Sequence, residues 1–331
     1  MIVITSEAIG GALATVPETA GIEGSQADRA IPDHHSRNRH STGRRPRVDD
    51  VVSCTAVEIP REMKVLFSHF YNEEFLLPFW LDHHRRLFDH GVLIDYGSTD
   101  LSREICRELV PDWDVVTSEN KEFSAIMVDF EVMKYEQRYR GHWKLVLNTT
   151  EFLVGDGLDH VIDYIEQSDH VAGQIDGAIM VDVDPTATID RTKPLVAQKH
   201  HGIWESDFPY EEMKLPWLPF ASRTRILHRY DIGAYHPGRH YSYLPRQVDI
   251  QRSQLGIWWY AFSPWTEETV GRKLQIQSRI DKFDRKAGFG VQHFTTREEL
   301  DHRRKTLLEF ARDLAEDRIV GSDAGGGRIL R

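Results

Sequence analysis

The sequence predicts an α/β fold with a mainly parallel, Rossmann-like sheet, flanking helices and a more irregular C-terminal half. Between about residues 64 and 170, short apolar runs alternate with stretches of helical periodicity, which is the pattern of repeated strand–helix units. Carboxylate-rich polar loops follow the first two apolar runs. After about residue 170 the regular alternation is lost, and aromatic residues and prolines become frequent.

The first two strands, at residues 65–67 and 92–94, each lead into a polar loop. Ligands of open α/β sheets bind beyond the carboxyl ends of the strands, so the two loops are expected to converge on one binding site. Neither loop has the glycine pattern of a Rossmann or P-loop phosphate cradle. The polar residues at these strand ends are Asn72, Glu73, Asp95 and Asp100.

The later helices and strands are predicted from two signals in the sequence, which are continuous apolar runs and helical periodicity. Continuous apolar runs predict strands that are buried on both faces, and apolar residues spaced three or four apart predict helices. Thr296 and Glu299 form a capping box that begins the last helix. In chain order, the sequence predicts a helix from about 101, a strand at 113–116, an amphipathic helix from 123 to about 140 whose apolar face includes Met127 and Phe130, a strand at 144–147, a helix around 161–165, strands at 178–181 and 224–228, and helices at about 267–280 and from 296.

Composition separates the chain into three parts. Residues 1–62 contain no aromatic residue and no periodicity, so we expect a disordered N-terminal tail or an incorrectly assigned start before Met63. Residues 63–318 are predicted to form one catalytic domain, and residues 319–331 a flexible tail.

Charge and cysteine content limit the partners and the compartment. The formal net charge of −11 argues against nucleic acid, which selects basic surfaces. The two cysteines are too few for a disulfide framework, and no apolar run reaches the length of a membrane span. We therefore expect a cytoplasmic protein without a transmembrane segment.

Three segments, in this order, resemble those of glycosyltransferase family 2-like proteins. They are the loops at 70–74 and 94–100, the strand and turn at 142–153, and the segment at 272–294. The resemblance covers about residues 64–310 and implies a GT-A fold with a nucleotide-sugar donor. It implies that Asn72, Glu73 and Asp100 line a donor pocket. Asp95, at the end of the second strand, is the candidate ligand of the ribose or base in the same pocket. The alternative is that Asp95 only forms a turn and Asp100 only caps a helix.

The chain departs from this family at the metal-binding motif. Asn148-Thr149-Thr150 stands where the family has Asp-x-Asp, and only the following Glu151 is kept. Carboxylates bind Mg²⁺ or Mn²⁺ better than amides and hydroxyls do, so three outcomes are open: a weak metal site, charge neutralisation by Arg or Lys, or loss of catalysis. The candidate metal ligands are Asn148, Thr150, Glu151 and His293, and the candidate cationic substitutes are Arg239, Arg272 and Lys273, of which the two arginines are also predicted to bind the donor.

An inverting transferase also needs a carboxylate that deprotonates the acceptor hydroxyl. Glu205 and Asp207 are the candidates, with Asp182 and Asp184 as alternatives. The sequence thus predicts a hexosyltransferase-like enzyme of polysaccharide or glycoconjugate biosynthesis, acting on a glycan, lipid-linked or protein acceptor. The alternative function is a non-catalytic nucleotide-sugar-binding homologue that has lost the metal motif.

Overall fold

The computed structural model, which describes residues 62–208, 224–287, 290 and 293–315, contains a mainly parallel sheet of seven strands. Its strand order is β3-β2-β1-β4-β9-β6-β10, and β9 runs antiparallel to both of its neighbours. The predicted tails, residues 1–62 and 319–331, lie outside the described residues except for Glu62, so the domain boundaries stay predictions.

The described part of the chain contains the following elements. The strands are β1 (Lys64–Phe70), β2 (His90–Asp95), β3 (Asp114–Thr117), β4 (Trp143–Val146), β5 (Glu151–Val154), β6 (Ala172–Ile175), β7 (Gly177–Val181), β8 (His201–Trp204), β9 (Arg225–His228), β10 (Gln247–Ile250), β11 (Gly256–Phe262) and β12 (Arg312–Asp313). The helices are α1 (Leu77–His84), α2 (Ser102–Leu109), α3 (Ala125–Glu136), α4 (Leu158–Gln167), α5 (Leu195–Gln198), α6 (Glu267–Gln275), α7 (Lys282–Ala287) and α8 (Arg297–Leu308).

The period-two alternation of β1 places apolar side chains on both faces of the first sheet. Leu66 packs into the core that also contains residues of α1, α2 and α4. Val65 and Phe67 pack on the opposite side, with Val132 and Tyr135 of α3. Helices therefore cover both faces of this sheet, as the apolar runs of its strands predict.

A second sheet, with strand order β12-β8-β7-β11-β5, supports the C-terminal half. The chain passes from β4 of the first sheet to β5 of the second through the turn at residues 147–150. α6 and α8 pack on the second sheet through Val270, Leu300 and Leu307. The departure from the family's metal motif therefore lies at the junction of the two sheets.

The predicted buried face of α3 is wrong. Met127 and Phe130 are 50% and 57% exposed, whereas the buried face of the helix carries the carboxylates of Asp129 and Glu136. Burial of a charge is costly unless it is paired, and these two groups have partners. Asp129 binds Arg239, and Glu136 accepts hydrogen bonds from Tyr235 and the amide of Gly233.

The α/β class predicted from the sequence, with a mainly parallel sheet, flanking helices and a less regular C-terminal half, is confirmed by this architecture. The capping box at Thr296 and Glu299 is also present. In the described part of the chain, no helix is long and apolar enough to cross a membrane.

Candidate functional site

A cavity of about 280 Å³ lies at the carboxyl ends of β1 and β4, where the sequence predicts the binding site. Residues from five regions meet there, which explains why no single motif describes it. They come from the β1 end (His69, Tyr71, Glu73), the β4–β5 turn (Asn148, Thr149, Thr150), α3 and its approach (Phe123, Asp129), the loop after β9 (Gly238, Arg239, His240), and the segment from α6 to α8 (Arg272, Lys273, Arg279, His293, Arg303).

The charge of the cavity is opposite to that of the chain. Five cationic side chains line it, against the two carboxylates of Glu73 and Asp129, although the whole chain has a formal charge of −11. Clefts lined by one sign of charge concentrate ligands of the other sign. The cavity is therefore suited to an anionic ligand.

A segment that we call the cover segment, residues 275–284, lies across the ends of β1 and β2. The Gln275 side-chain amide donates to the carbonyl of Tyr71 at 3.2 Å and accepts from Asn72 at 3.2 Å. The guanidinium of Arg279 lies 3.7 Å from the centre of the Tyr71 ring and donates to the carbonyl of Tyr96 at 2.8 Å. One edge of the cavity is thus formed by a cation stacked on an aromatic ring.

Backbone bonds attach the cover segment to the approach of α3. The amide of Phe123 donates to the carbonyl of Arg279 at 2.9 Å, and the amide of Asp281 donates back to Phe123 at 3.0 Å. Asp284 is fully buried and accepts from the amide of Ala125 at 2.6 Å, at the N-terminus of α3. A carboxylate at this position satisfies a free helix amide and interacts favourably with the helix dipole.

Among the predicted donor-binding residues, Glu73, Arg239 and Arg272 line the cavity. Glu73 is 8% exposed, and burial raises the pKa of its carboxyl group, which the nearby Arg272 opposes. Its Oε1 is 3.4 Å from Nη1 of Arg272, while its Oε2 has no hydrogen-bond partner among the described residues. Glu73 is thus a buried carboxylate in the cavity lining, with one oxygen that has no partner among the described residues.

The other predicted donor-binding residues organise the loops beside the cavity and are not among the residues that line it. Asp95 is 3% exposed and accepts from Arg103 at 3.0 Å and from the amide of Ser98 at 2.8 Å. Asp100 accepts from the amide of Ser102 at the start of α2, and Asn72 accepts from the amide of Thr99. Their contact with a donor stays a prediction.

Among the predicted metal ligands, Glu151 has no oxygen left for a divalent cation, and a metal role for Asn148, Thr150 and His293 stays a prediction. Both oxygens of Glu151 are in use: Asn148 donates to each of them, through its amide at 2.7 Å and its side chain at 3.2 Å, and Arg225 donates to each of them as well. These four donors fill the lone-pair positions of the carboxylate. Thr150 and His293 line the cavity, but among the described residues no group of three or more His, Cys, Asp or Glu side chains is arranged to hold a metal.

The predicted catalytic residues Glu205 and Asp207 lie on a single turn of 3₁₀ helix after β8. Asp207 is bound by Arg252 at 2.9 Å and by Arg312 at 3.1 Å, and Glu205 is 2% exposed. Neither is among the residues that line the cavity. Their catalytic role stays a prediction.

Sequence reasoning missed three residues that shape the site: Asp129, Arg225 and Arg279. Asp129 was missed because the helix that contains it was interpreted from its apolar residues alone. Arg225 lies in an apolar strand, where a buried arginine signals a buried partner. Arg279 is one of several arginines in a charged segment, and no sequence pattern distinguishes it.

Comparisons with known proteins found similarity only among solved structures. No protein-family model matches the chain, and no curated protein matches its sequence. The chain is similar to residues 1–349 of S. aureus TarS, with 11% identity and a TM-score of 0.37 over 65% of this chain and 64% of that one. The same fragment in complex with UDP-GlcNAc has 12% identity and a TM-score of 0.35, over 65% of this chain and 63% of that one. Glucosyl-3-phosphoglycerate synthase from Mycobacterium tuberculosis in complex with phosphoglyceric acid has 14% identity and a TM-score of 0.28, over 51% of this chain and 57% of that one. The match thus spans less than two thirds of the length of each of these solved chains.

Proposed function

We propose that this chain is a glycosyltransferase of GT-A type that binds a nucleotide-sugar donor in the cavity and transfers the sugar to a hydroxyl of a glycan, lipid-linked or protein acceptor. The observation that carries the proposal is the formal excess of three positive charges among the residues lining a cavity at the carboxyl ends of β1 and β4. A nucleoside diphosphate is the anionic part of such a donor. The resemblance of the sequence to family 2-like glycosyltransferases supports the same conclusion.

The lining of the cavity offers a group for each part of this donor. Arg272 and Lys273, adjacent on α6, suit the two phosphates. The free oxygen of Glu73 suits a hydroxyl of the ribose or the sugar. Tyr71, whose ring is stacked with Arg279, and the buried Tyr96 add aromatic surface to the lining beside these groups.

The proton of the acceptor hydroxyl must pass to a base within hydrogen-bond distance of it. Among the described residues lining the cavity, the carboxylates are Glu73 and Asp129. Arg239 and the amide of Gly238 already donate to the two oxygens of Asp129. Glu73 is therefore our first candidate for the base, beside the sequence-predicted Glu205 and Asp207.

Release of nucleoside diphosphate from a panel of nucleotide sugars tests the proposal. We expect release with at least one donor, and a rise in melting temperature with the same donor. A variant carrying Arg272→Gln and Lys273→Gln should lose both effects, whereas Arg86→Gln, on an exposed arginine of the α1–β2 connection, should keep them.

A non-catalytic nucleotide-sugar-binding protein is the second candidate. The observation that favours it is that Asn148 and Arg225 already donate to the oxygens of Glu151. The one carboxylate kept from the family's metal motif is therefore not available to bind a metal. This candidate predicts donor binding without release of nucleoside diphosphate at any metal concentration.

A further inference from the structure

Two arginines bind oxygen atoms of Glu151 and Asn148, which stand at the family's metal motif. Arg225 is 1% exposed and binds both oxygens of Glu151, with its Nε 2.8 Å from Oε2. Arg239 donates from Nη2 to Oδ1 of Asn148 at 2.8 Å, which is the oxygen that an Asp at this position would offer to a metal. A divalent cation could bind Glu151 only by displacing one of the donors on its oxygens, which come from Arg225 and Asn148.

Arg239 is held at the cavity by a carboxylate on another element, α3. Its Nη1 binds Oδ1 of Asp129, and Oδ2 of Asp129 accepts from the amide of Gly238 at 2.8 Å. One side chain of α3 therefore fixes both the guanidinium and the loop that carries it. A group positioned before the ligand arrives needs little reorganisation to stabilise a developing charge.

The backbone of the loop that carries Arg239 is strained, and the strain accompanies the position of this side chain at the cavity. Arg239 has a φ of +61°, a left-handed conformation that is unfavourable for a non-glycine residue. Gly238 before it has a φ of +89°. Strain of this kind persists where surrounding contacts impose it, and here the contacts come from Asp129 and from Arg225, which donates to the carbonyl of Gly238 at 3.1 Å.

The Arg239 guanidinium lies next to the cavity and has donor capacity left. Its Nε has no hydrogen-bond partner among the described residues, although Arg239 is only 3% exposed. His69, 3.4 Å from Nη2, stays neutral because burial, together with the charges of Arg239 and Arg225, lowers the pKa of its imidazole well below the usual value. The positive charge at this point is therefore carried by arginine.

We propose that Arg239 supplies, next to the donor diphosphate, the positive charge that a divalent cation supplies in relatives with the Asp-x-Asp motif, so that sugar transfer by this chain does not depend on a metal. The inference rests on the proposed function. In the transfer, the bond between the anomeric carbon and the diphosphate oxygen breaks, and its electron pair stays on that oxygen beside the guanidinium. The acceptor oxygen bonds to the anomeric carbon, and its proton passes to the carboxylate base.

The first test compares nucleoside diphosphate release by the unaltered protein in EDTA and over a range of Mn²⁺ concentrations. We expect the two rates to agree within about twofold. Loss of activity in EDTA that Mn²⁺ restores would overturn the proposal.

The second test replaces the arginine. Arg239→Gln should lower kcat about 100-fold, as removal of one oxyanion-stabilising donor does in other enzymes, with a smaller change in the KM of the donor. Arg239→Lys, which keeps the charge, should recover part of this loss in EDTA. Arg86→Gln should match the unaltered protein, and equal kcat values for Arg239→Gln and Arg86→Gln would contradict the proposal.

A third measurement separates this inference from the proposed function and does not require turnover. Calorimetric titration of UDP into the unaltered protein should give the same affinity in EDTA and in Mn²⁺, and a weaker affinity for folded Arg239→Gln. Such binding without release of nucleoside diphosphate from any donor would reject the transferase function and leave the metal-independent phosphate site supported. UDP binding that requires Mn²⁺ would reject the metal-independent site, and absence of nucleotide binding under all conditions would reject both.

Discussion

Arg225 Nε donates to Glu151 Oε2 at 2.8 Å, and neither side chain of this pair is more than 2% exposed. The two residues are 74 positions apart in the sequence. Arg225 begins β9 of the first sheet, and Glu151 begins β5 of the second. The ion pair therefore joins the two sheets beside the β4–β5 turn that lines the cavity.

Glu151→Gln should destabilise the protein by about 3–5 kcal/mol, because it leaves the buried guanidinium of Arg225 without a charged partner. Denaturant unfolding followed by circular dichroism measures the change. Glu267→Gln, which removes the partner of Arg297 in an exposed pair, is the matched control and should leave the midpoint nearly unchanged. Equal midpoints for the two variants would show that the buried pair does not hold the sheets together.

Local patterns predicted the strands and helices whose signals lie within a few residues of each other. The strand at 65–67 became the centre of β1 because its apolar side chains face cores on both sides of the sheet. The capping box at Thr296 is likewise a local arrangement of hydrogen bonds. The short strand β5 was missed because its pairing with β11 joins residues about a hundred positions apart.

The candidate site could be placed from the sequence but not completed. The polar loop after the first strand identified Glu73, and the altered metal motif pointed to Arg239 and Arg272 as cationic substitutes; all three line the cavity. Whether Glu151 is available to a metal depends on Arg225, and no spacing rule connects the two. Long-range charge pairing decides the chemistry of this site, and it becomes visible only in three dimensions.

Glu73→Gln should change the pH dependence of stability. Burial raises the pKa of Glu73 from its usual 4.5, so the folded state holds this proton more tightly than the unfolded state. The contribution of Glu73 to stability is then lost as the pH rises from about 4.5 through the raised pKa. Relative to the unaltered protein, Glu73→Gln should gain stability across this pH interval. Parallel curves of unfolding free energy against pH for the two proteins would show that the group does not titrate with a raised pKa.

The variant with Arg272→Gln and Lys273→Gln should bind UDP more weakly, by a factor of about 10–100 for each charged hydrogen bond lost. Both residues line the cavity, and Lys273 Nζ lies 4.5 Å from the centre of the Phe262 ring. Calorimetry at low and high salt provides a second criterion. The affinity of the unaltered protein should fall with salt, and that of the variant should fall less, because fewer charges remain to be screened. An unchanged affinity of the variant for UDP would show that the phosphates do not bind at α6.

Asp284→Asn should loosen the cover segment without unfolding the sheet. The Asp284 carboxylate is fully buried against the N-terminus of α3, where an amide side chain forms a weaker bond with the Ala125 amide and lacks the charge that favours this helix end. Hydrogen exchange at the amides of Phe123 and Asp281, which bond across this contact, should become faster. Exchange in β1 should stay slow, and acceleration there as well would indicate general unfolding.

Exchange at the same two amides also tests the relation of the cover segment to the ligand. If the segment closes on bound nucleotide, UDP should slow exchange in the unaltered protein and bind more weakly to Asp284→Asn. If it blocks the cavity, UDP should bind more tightly to Asp284→Asn. We expect the first outcome, because Arg279 of the segment itself lines the cavity.

The identity of the base can be decided by comparing Glu73→Gln with Asp207→Asn. A base must approach the acceptor hydroxyl to hydrogen-bond distance, and Glu73 lines the cavity while Asp207 is bound by Arg252 and Arg312 away from the lining residues. Glu73→Gln should therefore lower kcat about 100-fold or more, and Asp207→Asn should change it less than about twofold. In the unaltered protein, kcat should fall as the pH drops through the raised pKa of Glu73, because the protonated carboxyl group can no longer accept the hydroxyl proton. A large loss in Asp207→Asn, with the acidic limb of the pH profile unchanged in Glu73→Gln, would restore the base predicted from the sequence and leave Glu73 as a ligand of the donor.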